Sequence, residues 1–100
     1  MRISVWREDH PEVKTVIASE HCVQRFRKRR RIRVPGIQAV AEELREAFEQ
    51  ADLTRWAPPW VVSAHDTQMW ALLDDLAFPL VAAGQDGEWL ATTCLVRGRH

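Results

Sequence analysis

One hundred residues with 14 basic and 14 acidic side chains carry no net charge, so the chain as a whole is neither a polycation nor a polyanion. Apolar residues make up 46% and charged residues 28%, which excludes a disordered composition. No apolar run approaches the roughly 20 residues of a membrane-spanning helix, and the N-terminus lacks the apolar stretch of a secretory signal peptide. We expect a single cytoplasmic domain over residues 1–100, with no membrane partner.

The chain offers few residues for metal or cofactor chemistry. Cys22 and Cys94 follow no metal-ligand spacing and are too few for a disulfide framework, so we expect two reduced, buried thiols. His65 and Asp66 are adjacent in a predicted loop, without further ligands at useful spacing, and no metal site is predicted. The sequence contains no P-loop, dinucleotide fingerprint or nucleophile elbow, so no cofactor is expected either.

The N-terminal third predicts short strands followed by a helix. Ile3–Trp6 is predicted as a short strand or a frayed end, and the β-branched segment Lys14–Ile17 as a strand. Ser19 is a predicted helix N-cap, and the first helix is expected over Glu20–Arg30. Its narrow apolar stripe consists of Cys22, Val23 and Phe26.

The second helix has the clearest periodicity in the chain. A break at Val34–Gly36 precedes it, and the helix is predicted from Ile37 to Asp52. Its apolar residues recur at the spacing of an amphipathic helix. They are Ile37, Val40, Ala41, Leu44, Ala47, Phe48 and Ala51. A loop over Arg55–Pro59 follows.

The second half of the chain changes to the pattern of strands and turns. Four strands are predicted, at Trp60–Val62, Met69–Leu73, Phe78–Ala83 and Glu88–Val96. An Asp-Asp turn and an Asp-Gly turn separate the last three strands. The predicted fold class is therefore α+β, with two N-terminal helices packed on one face of a three- or four-stranded antiparallel sheet.

Seven of the nine residues between Arg25 and Arg33 are basic, which is half of all the positive charge. They are Arg25, Arg27, Lys28, Arg29, Arg30, Arg31 and Arg33. Like charges this close repel one another, and phosphates that accept bidentate arginine contacts relieve that repulsion. The run predicts contact with RNA or another polyanion. The alternative is a solvated charged turn whose partners are acids of the second helix.

His21 and Arg25 are spaced to share one helix face. The start of a helix favours the neutral form of the imidazole, and a neutral imidazole can act as general base towards a ribose 2′-OH. Arg25 can then hold the phosphate. The alternative for His21 is an exposed histidine without a chemical role.

Strict alternation along the last predicted strand places Trp89, Thr93 and Arg97 together on the face away from the helices. An aromatic ring, a hydroxyl and a guanidinium on an open sheet face suit base stacking and phosphate contact. The alternatives are ordinary strand threonines and tryptophans that dock a protein partner, with Trp56, Trp60 and Trp89 as the candidates.

The His-x-x-x-Arg-Phe sequence, the second amphipathic helix and the C-terminal sheet ending in Thr-Thr-Cys-Leu resemble the RelE-like toxin superfamily. These are small ribonucleases of the barnase–EndoU–colicin–RelE type, and the resemblance extends from about Val13 to Val96. It implies metal-independent RNA cleavage through a 2′,3′-cyclic phosphate, and an antitoxin protein as partner. Its implied site has His21 as base, Arg25 and Arg97 as phosphate clamps, and Thr93 as a polar helper.

The sequence departs from that family in two respects. It has no tyrosine, and its sheet shows no obvious histidine or lysine of the kind that several members use. The alternative is therefore a non-catalytic, nucleic-acid-binding or regulatory protein that uses the same basic face.

Overall fold

The computed structural model describes residues 3–6, 10–30, 37–61 and 67–98. Within them lie two helices, α1 (Glu20–Arg30) and α2 (Ile37–Gln50). The strands are β1 (Ile3–Trp6), β2 (Thr15–Ala18), β3 (Asp52–Thr54), β4 (Met69–Leu73), β5 (Leu76–Ala82), β6 (Glu88–Ala91) and β7 (Leu95–Val96). The predicted break at Val34–Gly36 lies outside the described residues.

The strands form one curled, mixed sheet that resembles half a barrel. Its order is β1-β2-β6-β5-β4-β3, with β7 paired to β5. Neighbouring strands are antiparallel except for β2 and β6, which run parallel. The prediction of two N-terminal helices on a three- or four-stranded antiparallel sheet is therefore wrong. Two strands precede the helices, and β2 forms its parallel ladder with a strand from the far end of the chain.

One hydrophobic core lies between the sheet and the two helices. Phe78 on β5 contacts Phe48 of α2 edge to face, with ring centroids 4.8 Å apart, and Phe26 of α1 at 6.1 Å. All three rings are almost fully buried. The three phenylalanines therefore join both helices to the central strand. Neither α1 nor α2 is long and apolar enough to cross a membrane.

Two predictions for the middle of the chain are wrong, namely the end of the second helix and the strand Trp60–Val62. α2 ends at Gln50, not at Asp52, because β3 begins at Asp52 and its Leu53 pairs with Ala71 of β4. The predicted strand Trp60–Val62 is not formed at its two described residues. The amide of Val61 donates to the carbonyl of Pro58 at 3.0 Å, which closes a turn at this point.

A β-bulge divides the predicted strand Glu88–Val96 into β6 and β7. Ala91 of β6 pairs with Leu80 of β5, and Val96 of β7 pairs with Leu76 of β5. The chain therefore advances five residues from Ala91 to Val96 while β5 advances only four between the partner residues. One extra residue is therefore accommodated between Ala91 and Leu95, and the alternation of faces shifts there. The prediction of one continuous outward face along this strand is wrong, because Ala91 is fully buried in the core.

Gly87 in the β5–β6 hairpin provides a test of this architecture. Its φ is +83°, and a Cβ added there would lie 2.8 Å from Cγ of Lys14. We expect Gly87→Ala to lower the free energy of unfolding by more than about 1 kcal/mol, because the left-handed conformation alone costs an L-residue about that much. Urea denaturation measures the loss. Gly84→Ala is the matched control, since its Cβ meets nothing within 4 Å. Equal losses for the two variants would contradict the hairpin geometry.

Candidate nucleic-acid interface

The start of α1 is fixed against the bulge of the sheet by Ser19. Its Oγ accepts the amide hydrogen of Cys22 at 3.1 Å, which confirms the predicted N-cap. The same hydroxyl donates to the carbonyl of Thr92 at 3.1 Å, and the Ser19 amide donates to the carbonyl of Ala91 at 3.1 Å. These bonds set the position of the first helical turn, which carries His21.

The basic residues of α1 lie beside and opposite its buried stripe. Cys22, Val23 and Phe26 are buried, as the sequence predicts. A rotation of 100° per residue places four side chains along one flank of the helix. We call this set the basic flank, and it consists of His21, Arg25, Lys28 and Arg29. His21 and Lys28 are exposed, whereas Arg25 and Arg29 are half-buried. Arg27 is exposed on another side of the helix.

Four positive charges of α1, from Arg25 to Arg29, form no ion pair within the described part of the chain. No carboxylate there lies within ion-pair distance of Arg25, Arg27, Lys28 or Arg29. The acids of α2 are exposed and form no ion pair with α1 among the described residues. They are Glu42, Glu43, Glu46 and Glu49. The sequence leaves open that acids of the second helix are the partners of the basic residues 25–33. No ion pair with those acids forms at these four cations among the described residues.

The structure does not describe the side chains of three residues of the predicted basic run. They are Arg30, whose side chain is not described, and Arg31 and Arg33, which lie outside the described residues. The candidate interface is therefore argued from the cations of α1 up to Arg29.

Thr93 and Arg97 lie on either side of β7. Thr93 is in the bulge, next to Thr92, whose carbonyl accepts from Ser19 at the start of α1. The Arg97 amide donates to the carbonyl of Asp75 at 2.7 Å, in the turn between β4 and β5. Of the four implied catalytic residues, His21 and Arg25 share one flank of α1, and Arg97 follows β7.

Trp89 does not provide the predicted stacking surface on an open sheet face. It packs against the core, and its indole N–H donates to the carbonyl of Glu12 at 3.0 Å. It lines a cleft of about 470 Å³ at the β5–β6 hairpin, together with Lys14. The exposed tryptophans are Trp56, at 79%, and Trp6, at 62% on the edge strand β1. The exposure of Trp6 was not predicted, although an edge position is consistent with it.

Nucleophilic or metal chemistry at the cysteines finds no support in their surroundings. Cys22 and Cys94 are both free and buried. Burial, and to a lesser degree the neighbouring Cys94, raises the pKa of the Cys22 thiol well above its ordinary value. Cys22 is therefore a protonated core residue at neutral pH. In the described ranges no three histidine, cysteine, aspartate or glutamate side chains are grouped to hold a metal ion. His65 and Asp66 lie outside those ranges.

The half-burial of Arg25 and Arg29 is the feature of the interface that sequence reasoning missed. Both stand three or four residues from members of the buried stripe, and that spacing was the available signal. The candidate interface is thus defined by the side chains of a single capped helix and by their charge. No protein-family model, no curated protein and no solved structure matches this chain.

Proposed function

We propose that this chain binds RNA through the basic flank of α1 and the adjacent Arg27. The observation that carries the proposal is the set of four unpaired cations on one helix of 11 residues. Unneutralised arginines repel one another, and RNA phosphates supply the missing counter-charge in bidentate geometry. The test is titration of a labelled, unstructured RNA at several salt concentrations, because ionic contacts make the affinity fall with salt.

A second candidate function is metal-independent RNA cleavage. It is favoured by His21, an exposed imidazole one helical turn from Arg25. In this reaction His21 removes the proton of a ribose 2′-OH, and the 2′-oxygen attacks the adjacent phosphorus as the 5′-oxygen departs. The products are a 2′,3′-cyclic phosphate and a strand with a 5′-hydroxyl, which takes up a proton. Arg25 stabilises the extra negative charge on the phosphoryl oxygens.

For this second candidate we expect His21→Ala to lower the rate of RNA cleavage in EDTA by about 10² to 10⁴-fold, the usual contribution of a general base. RNA affinity should change by less than about twofold, because the proposed ionic contacts are made by the arginines and Lys28. Gln24→Ala, exposed on the same helix, is the matched control. Equal cleavage by the two variants would assign the activity to another residue. Intact RNA with the wild-type chain would leave the binding function alone.

We also propose that the protein acts in the cytoplasm. A reducing cytoplasm keeps Cys22 and Cys94 as free thiols, and it contains the RNA. If the chain is a toxin of the type it resembles, an antitoxin protein is its natural partner. That partner would suppress cleavage, and a protein that only binds RNA would need none.

A further inference from the structure

Two arginines of the basic flank differ from the other cations of α1. Arg25 and Arg29 are half-buried, whereas Arg27 and Lys28 are exposed. They stand one helical turn apart, beside the buried stripe that contains Cys22. Long basic side chains in such places lay their apolar stems along the protein and present their charged ends to solvent.

The Nε atoms of Arg25 and Arg29 are both inaccessible to solvent, and neither has a hydrogen-bond acceptor among the described residues. A guanidinium is a planar fork, so an Nε turned against the protein leaves the terminal nitrogens to reach a ligand. An unpaired buried donor is unfavourable, and this arrangement recurs in two adjacent arginines. The pair is therefore held with a restricted orientation and with donor capacity that the protein does not use.

We propose that Arg25 and Arg29 form a clamp for two successive phosphates of one RNA strand, and that Arg27 and Lys28 contribute charge without directional contacts. This inference rests on the proposed RNA binding. Side chains at i and i+4 have Cβ atoms about 5–6 Å apart, a separation suited to neighbouring phosphates on one strand.

The first test keeps the positive charge of the two side chains but removes their planar guanidinium groups. The double variant Arg25→Lys with Arg29→Lys should bind single-stranded RNA at least about tenfold more weakly, because lysine cannot make bidentate contacts. The slope of log K against log salt should stay unchanged, since no charge is lost. Arg45→Lys, at an exposed arginine of α2 outside the proposed interface, is the control and should bind within about twofold of the wild type. Circular dichroism confirms that the variants are folded.

A second test uses the wild-type chain alone, so it holds even where a variant does not fold. A uridine trinucleotide with two internucleotide phosphates should displace labelled RNA at a concentration at least about tenfold lower than a dinucleotide with one. Equal potency of the two competitors, or wild-type affinity of the double lysine variant, would overturn the clamp and leave RNA binding intact. Absence of RNA binding by the wild-type chain at low salt would instead remove the proposed function itself.

Discussion

Replacing Phe78 by alanine should lower the free energy of unfolding by about 3–5 kcal/mol, the largest loss of stability expected for a single change in this chain. Phe78 has no exposed surface, and its ring contacts both Phe26 and Phe48. The substitution removes two aromatic contacts and leaves a cavity where α1, α2 and β5 meet. Because domains of this size are stable by only about 5–15 kcal/mol, the variant should be close to unfolding at 37 °C.

Urea denaturation at 25 °C measures this loss, and Trp56→Ala is its control. Trp56 is also aromatic but is 79% exposed, so its removal should change stability by less than about 0.5 kcal/mol. If the two variants lost the same stability, the three-phenylalanine cluster would not be the junction between the helices and the sheet.

Reversing the two exposed cations of α1 should have the largest effect on RNA binding. We expect Arg27→Glu with Lys28→Glu to weaken binding about 100-fold at 0.1 M salt. Loss of two phosphate contacts removes about 1.4 from log K under these conditions, and the repulsion of two new acids is expected to remove a further, smaller part. Both side chains are exposed, so the fold should be retained. Fluorescence anisotropy with labelled RNA measures the change.

The control for this variant changes the net charge by the same amount elsewhere. Arg45 on α2 and Arg97 after β7 are both exposed, and Arg45→Glu with Arg97→Glu should bind RNA within about threefold of the wild type. Charges beyond the Debye length of about 10 Å at 0.1 M salt are largely screened, which is why the position of the charge decides the effect. A greater loss in the control would move the RNA site to the sheet, towards the position that the resemblance implies for Arg97.

The helices could be predicted from the sequence because their signals are local. Ser19 as N-cap and the run of apolar residues from Ile37 each depend on neighbours within a few turns. The partner of β2 could not be predicted in the same way. Its residues predict a strand, but the parallel ladder with β6 joins Val16 to Trp89, and no local pattern encodes that choice. β3 was missed because Asp52 directly follows the helical period and the strand has three residues.

The candidate site was likewise predictable only where its signals are local. The concentration of positive charge on α1 was visible in the sequence, and so was the spacing of His21 and Arg25 on one helix face. The predicted position of Trp89 on the outer face of the sheet was wrong. One extra residue in the bulge shifts the alternation, and a shift of one residue moves a side chain to the other face. The unpaired Nε atoms of Arg25 and Arg29 depend on what packs around them, which no spacing reveals.

The proposed function requires that the cations of α1 bind RNA phosphates. Its most direct test is the affinity of the wild-type chain for a labelled, unstructured RNA between 50 and 200 mM salt in EDTA. Four phosphate contacts on a single strand predict a slope of log K against log salt of about −3, or roughly 50-fold weaker binding across that range. A slope near zero, or no binding at 50 mM salt, would contradict the account and leave the basic helix as a solvated surface.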